Sequence, residues 1–197
     1  MTKHVDYYFS PSSPWTYLGH ERFADIARRH GAQVAVKPVD YGVIFPQSGG
    51  LPLGKRAPQR QAYRLTELKR WREHVGVPLT VQPKFFPVDA NPAALAIIAA
   101  ASFGHEAQMR LAGAFLRALW AEEQNIADAA TLSAAAATAG LDADRLLAAA
   151  ADAKTRFDAF TEEALARGVF GAPTYVYRDE LFWGQDRLDF LERALAS

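Results

Sequence analysis

The 197-residue chain has no cysteine. That absence excludes disulfides, thiolate metal sites, cysteine nucleophiles and any dithiol redox chemistry carried by the protein itself. Thiol chemistry, if there is any, has to arrive with a bound molecule. Net charge is missing too: Lys+Arg and Asp+Glu number 22 each, so no long-range field gathers nucleic acid or an anionic membrane surface. The longest apolar run, Ala93 to Ala101, falls far short of the ~20 residues that span a bilayer. The opening residues Met1 to Asp6 lead straight into a strand-like run without the charged start, apolar stretch and cleavage site of a secretory signal, which predicts a cytoplasmic protein.

Several catalytic signatures are also absent. The five histidines, His4, His20, His30, His74 and His105, show no metal-ligand spacing, so each is expected at the surface or at a helix end and no metal site is expected. Neither a GxSxG nucleophile elbow nor a GxGxxG loop occurs. Gly49 to Lys55 has the glycine and lysine spacing of a phosphate loop, but Arg56 stands where Ser or Thr must hold magnesium. The pairs Glu122-Glu123 and Glu162-Glu163 fall in helical stretches and read as solvated faces.

What the chain does have is apolar material. Half the residues are hydrophobic and 12% are aromatic, and the length is about 1.3 times a typical domain, which predicts one compact unit carrying an insertion. Val5 to Phe9 reads as a strand that ends in the turn Ser10-Pro11-Ser12-Ser13-Pro14. A helix follows from Trp15 to His30, with Phe23, Ile26 and Ala27 on its apolar side and Gly31 as its stop. Gln33 to Val39 alternates as a second strand. The segment Gly42 to Pro58, rich in glycine and proline, is expected to be irregular and functional. From Arg60 to about Arg167 the chain is alanine-rich and helical, with breaks near residues 76–78, 83–92, 104–105, 125–128 and 140–142. A hairpin, Pro173 to Tyr177 and Leu181 to Trp183, turns at Arg178-Asp179-Glu180, and a last helix starts near Arg187 with Leu188, Leu191 and Leu195 as its stripe. The fold class is therefore α/β: a βαβ unit, a large all-helical insertion, then ββα, in thioredoxin-like order. Residues 1–57 and 168–197 form the thioredoxin-like domain in this reading, and residues 58–167 the insertion.

Ser13 sits where the first strand meets the first helix, and Pro14 suits the first helical position. The bland reading makes Ser13 an N-cap that contributes ~1 kcal/mol. Pro173, after Ala172, opens a strand, where a cis bond or an ordinary trans proline would both be accommodated. Asp186 and Arg187 begin the last helix, and Asp186 with Asp189 resembles a capping arrangement. Arg60, Tyr63, Glu67, Arg70 and Trp71 group on one side of the first insertion helix, opposite Leu65, Leu68, Arg72 and Val75; a solvated, charge-paired face would look the same.

The runs Phe9 to Leu18, Gly168 to Thr174 and Trp183-Gly184-Gln185-Asp186-Arg187 together resemble the 2-hydroxychromene-2-carboxylate isomerase family, a relative of kappa-class glutathione transferases and of helical-insert disulfide oxidoreductases. The resemblance covers nearly the whole chain, in order and at the right spacing. It implies an enzyme that uses glutathione as cofactor, takes a small aromatic substrate, and is a homodimer, while the balanced charge and short apolar runs predict no nucleic-acid or membrane partner. Ser13 would face the glutathione thiol as the catalytic residue, since the redox relatives carry an attacking cysteine there and this chain reads Ser13-Pro14-Trp15-Thr16. Ala172, beside a cis Pro173, would pair with the cysteinyl backbone of glutathione. Asp186 and Arg187 would take its γ-glutamyl ammonium and carboxylate. Arg60 would bind a second carboxylate, of glutathione or of substrate. Trp15, Tyr63 and the Gly42 to Pro58 loop are candidates for the aromatic wall and lid, with Asp89 and Asn91 as further substrate-binding candidates in a loop that matches loosely.

The energetics suffice. A thiol of pKa ~8.5 is about 3% ionised at pH 7, and half-ionisation requires about 2 kcal/mol. A hydroxyl hydrogen bond to the sulfur anion supplies ~1.5 to 3 kcal/mol, and a helix N-terminus ~0.3 to 1 more. Two alternatives stay open: a kappa-like transferase that makes a stable glutathione conjugate, and a non-catalytic binding module on a cysteine-less thioredoxin fold.

Overall fold

The computed structural model describes residues 2–197. Strand β1 (His4–Phe9) is followed by α1 (Pro14–Arg29) and β2 (Gln33–Pro38). Helices α2 (Tyr41–Ser48), α3 (Pro58–Val75), α4 (Asn91–Ala99), α5 (His105–Trp120), α6 (Ala129–Thr138), α7 (Ala143–Ala150) and α8 (Lys154–Ala166) come next. The chain then returns to the sheet as β3 (Thr174–Tyr177) and β4 (Glu180–Trp183) and ends with α9 (Leu188–Ala196). The sheet order is β2-β1-β3-β4, with β1 parallel to β2 and antiparallel to β3. This is the thioredoxin arrangement that the order of elements predicts.

Two expectations need correction. Gly42 to Pro58 is not irregular throughout: Tyr41–Ser48 forms a helix capped by the Asp40 side chain, which accepts from the Gly42 N–H, and a short 3-10 turn covers Leu53–Lys55. The helix tolerates Pro46 because that residue is exposed near its end. The hairpin turn is two residues, Arg178 and Asp179, both at positive φ, so Glu180 already belongs to β4. The structure also adds a break after Ala150 that alanine's helix preference conceals in the sequence.

Side chains alternate across β1. Val5, Tyr7 and Phe9 enter the larger core with Phe23, Phe115 and Trp120, while Tyr8 turns to a smaller core with Tyr41, Ile44 and Val176. Tyr7 stacks on Tyr175 across the sheet at 5.3 Å between ring centroids. Helices α4, α5 and α8 all touch β2, so helices cover both faces of the sheet. No helix among the described residues is long and apolar enough to cross a membrane.

One histidine departs from expectation. His20 is buried in α1: Nε2 donates to the Met109 carbonyl of α5 at 2.9 Å, which leaves Nδ1 to accept from the Tyr7 hydroxyl at 3.1 Å. A ring wedged between β1 and α5 needs both bonds, because an unpaired buried polar atom is costly. Burial also holds the imidazole neutral by lowering its pKa from the ordinary value.

Two outcomes follow for stability. Tyr7→Phe strands Nδ1 without a donor and should lower unfolding free energy by about 1 to 3 kcal/mol in urea titrations. The unfolded chain protonates this histidine below about pH 6.5 whereas the folded one resists, so stability should fall as pH drops from that value, and a His20→Gln variant should fall less.

Candidate active site

The cleft lies between the β1–α1 junction, α2, α3 and the two loops that flank the hairpin. It holds two adjoining cavities of about 640 and 510 Å³ that share Trp15, Arg56, Arg60, Arg64, Ala172 and Trp183 as walls. Ser13 opens into the larger one and Tyr63, Asp186 and Arg187 line the other.

Ser13 is built by local chemistry. Its N–H donates to the Ser10 carbonyl at 3.0 Å, closing the turn, and its extended backbone makes it the N-cap of α1. Its Oγ accepts from the Thr16 N–H at 3.2 Å. That bond uses one lone pair, and among the described residues the hydroxyl proton has no protein acceptor. The cap and a half-buried donor on the cleft wall are therefore the same group.

Opposite stands the loop before β3. The Ala172–Pro173 peptide is cis, as is Phe86–Pro87, which the sequence reading does not anticipate. Neither the N–H nor the C=O of Ala172 has a partner among the described residues, while the neighbouring Gly171 carbonyl accepts from the Tyr41 hydroxyl at 2.8 Å and the Thr174 hydroxyl at 2.7 Å. The loop is thus held from behind and open in front. Gly171 makes room for the indole: a Cβ there would lie 2.2 Å from Trp183 Nε1, so any larger residue has to displace that ring. Trp183 stands against Phe170 at 4.7 Å between ring centroids. Leu51, Tyr63, Phe170 and Trp183, four of the six large apolar side chains left exposed among the described residues, all lie on the cleft.

At the far end, Asp186 and Arg187 pair with each other at 3.0 Å on the first turn before α9. Gly184 adopts φ +100°, and the Asp186 carboxylate folds back so closely that a Cβ on Gly184 would sit 2.4 Å from its oxygen. Only glycine serves there.

The α3 wall differs from the expected face. Arg60, Tyr63, Glu67 and Trp71 reach the cleft, but Arg70 turns to solvent and pairs with Glu67 at 2.8 Å. Arg64, one helical turn after Arg60, takes the inward position. Burial, with the Arg56 charge as the lesser cause, pushes its guanidinium down to about 10. Arg56 is lowered as well, by burial and then by Arg60, and its Nε donates to the Leu51 carbonyl at 2.8 Å. None of these three arginines has a carboxylate within 4.0 Å among the described residues. Reading the sequence at strict four-residue intervals from Arg60 finds both 56 and 64.

Asp89 and Asn91 are not in this cleft. They line a separate recess behind Ser10 and Ser12, where the Asp89 carboxylate accepts from the Asn91 N–H at 3.0 Å in a local turn just ahead of α4, whose N-cap is Ala90. No cluster of metal-ligating side chains occurs among the described residues.

Residues 4–196 match the DsbA-like thioredoxin domain. The chain belongs to that family. Within it the chain is a member of the 2-hydroxychromene-2-carboxylate isomerase group: a protein of that name from Sphingobium xenophagum is 33% identical over 99% of both chains. A solved structure of a 2-hydroxychromene-2-carboxylate isomerase superposes with a TM-score of 0.82 at 27% identity, covering 98% of this chain and 94% of that one. Human glutathione S-transferase kappa 1 is 24% identical over 99% of this chain and 92% of its own.

Gly171→Ala should push the Trp183 indole out of the cleft. Tryptophan emission should shift in this variant and show no such shift when the same change is made in a Trp183→Phe background; identical emission would contradict the packing.

Proposed function

We propose that this isomerase-family member interconverts 2-hydroxychromene-2-carboxylate-type and o-hydroxybenzylidenepyruvate-type compounds with glutathione as cofactor. The observation that carries the reading is the Ser13 hydroxyl proton, which is left without an acceptor on the cleft wall at the N-terminus of α1. When bound, glutathione supplies a thiolate that adds reversibly to the conjugated carbon of the ring-opened substrate, so that rotation about the former double bond can exchange the isomers.

The residues fit that tripeptide. Ala172 offers an open N–H and C=O to its cysteinyl backbone. Asp186 and Arg187 present one charge of each sign to the γ-glutamyl zwitterion and would exchange their mutual pairing for it. Arg60, unpaired and exposed in the cleft, complements the glycyl carboxylate. Ser13 then donates to the sulfur anion while its oxygen keeps the helix cap. Trp15, Trp183 and Tyr63 give an aromatic substrate flat apolar surface. The kappa-class relative supports the use of glutathione.

Position 13 tests the reading directly, provided capping and catalysis are separated. Ser13→Ala removes both roles and should cost about 1 kcal/mol of stability. Ser13→Gly keeps most of the cap energy, losing only a few tenths of a kcal/mol. Both variants should lower kcat/KM at pH 7 by roughly 10- to 150-fold and return the bound thiol to a pKa of ~8.5, followed by thiolate absorbance. Unchanged activity in Ser13→Gly would sink the assignment. Stoichiometric consumption of glutathione with the aromatic substrate would instead identify a conjugating transferase.

A further inference from the structure

Arg64 is hard to explain as a structural residue. Its guanidinium carbon lies 5.1 Å from the Phe86 ring centroid and 5.8 Å from that of Trp120, itself fully buried. Its Nη2 is sealed from solvent without an acceptor, and so is the nearby Trp120 Nε1. Two buried donors without partners next to each other are a rare arrangement. Cation–π attraction returns part of the desolvation cost, but a leucine or methionine would cover the same rings without any charge to desolvate. The side chain nevertheless forms a wall of both cavities, on the same cleft as Ser13.

The neighbours sharpen the reading. Arg56 and Arg60 add positive charge on the same side, and no carboxylate balances any of the three among the described residues. Arg56 stands 6.0 Å from the Phe45 ring centroid but its Nε is tied to the Leu51 carbonyl, and Arg60 is exposed at the rim, so Arg64 is the arginine without a hydrogen-bond partner that is set against two aromatic rings. With Nη2 sealed, the guanidinium meets the cleft through its other N–H groups, and a cation held beside flat rings suits an acid carried next to an aromatic ring.

We propose that Arg64 binds the carboxylate of the aromatic substrate and sets the enzyme's preference for anionic over neutral unsaturated ketones. This rests on the isomerase reading above and assigns to α3 a specificity-determining residue for it. The other source of the same chemistry is the glycyl carboxylate of glutathione, and the test separates the two.

Benzylidenepyruvate and its neutral analogue benzylideneacetone would be titrated without glutathione, with quenching of tryptophan emission as the readout, while glutathione affinity is measured separately by calorimetry. Wild type should prefer the acid by roughly 10- to 150-fold, the range of a charged hydrogen bond. Arg64→Met should abolish that preference, leave the affinity for the neutral ketone within about threefold, and leave glutathione binding unchanged. Arg64→Lys keeps the charge without the fork, should retain part of the preference, and reports a folded cleft if the methionine variant is unstable. A preference that survives in Arg64→Met, or no preference in wild type, overturns the proposal. A fall in glutathione affinity as large as that for the acid also overturns it, in favour of the glycyl carboxylate. Because neither glutathione nor turnover enters the titration, failure of isomerisation and failure of this assignment are separate results.

Discussion

A hydroxyl has two lone pairs and one proton, and the cleft depends on how position 13 divides them. The helix takes a lone pair through the Thr16 N–H, which fixes the oxygen, and no described protein group takes the proton. A cysteine at the same place would be a reactive group in its own right. A serine is inert toward carbon until some other nucleophile is present, and no histidine is at hand to activate it: the one buried histidine, His20, has both ring nitrogens committed to Tyr7 and Met109. The chemistry of the junction is therefore that of a donor, suited to steadying a negative charge delivered by a ligand.

The rest of the site serves the same electrostatic end. The first helix presents its N-terminus, the α3 side contributes three guanidinium groups, and the loop before β3 keeps an unpaired peptide facing them. Only Glu67 and Asp186 oppose this among the lining residues, and both are engaged with arginines at the margin. In a protein of zero formal charge this local imbalance is a feature of placement alone. It favours a ligand set that is anionic in total, which the proposed pair of glutathione thiolate and aromatic acid would satisfy.

Much of this was legible in the sequence, for identifiable reasons. The β1–α1 junction could be read because a strand run, Ser-Pro turn chemistry and a proline at the first helical position are all local signals. The hairpin was read nearly in register, with an error of one residue at Glu180 because two consecutive non-glycine residues at positive φ leave no glycine marker. In Gly42 to Pro58 the proline and glycine content hides most of a capped helix, Tyr41–Ser48, whose Tyr41 and Ile44 face the smaller core. Arg64 was missed for a different reason: charge on an insertion helix reads as a solvated face, and only tertiary packing shows that one arginine of the stripe meets Phe86 and Trp120. Asp89 and Asn91 were drawn into the site by loop composition, but a carboxylate two residues before a helix finds the free N–H first.

The division of labour between the two parts of the chain follows from rigidity. Ser13, Ala172 and the pair Asp186–Arg187 are anchored to the sheet, through the turn after β1, the loop entering β3 and the turn leaving β4. Their spacing is set by backbone hydrogen bonds and can vary little, which suits a ligand of constant shape. The arginines on and before α3 are held mainly by side-chain packing, and α3 meets the thioredoxin core chiefly through α1. Exchanging one of them alters the charge of the substrate pocket without disturbing the strand ends. On the proposed reading, a cleft assembled in this way would keep the subsite at the strand ends fixed while its choice of second ligand is set by a few arginines at four-residue intervals.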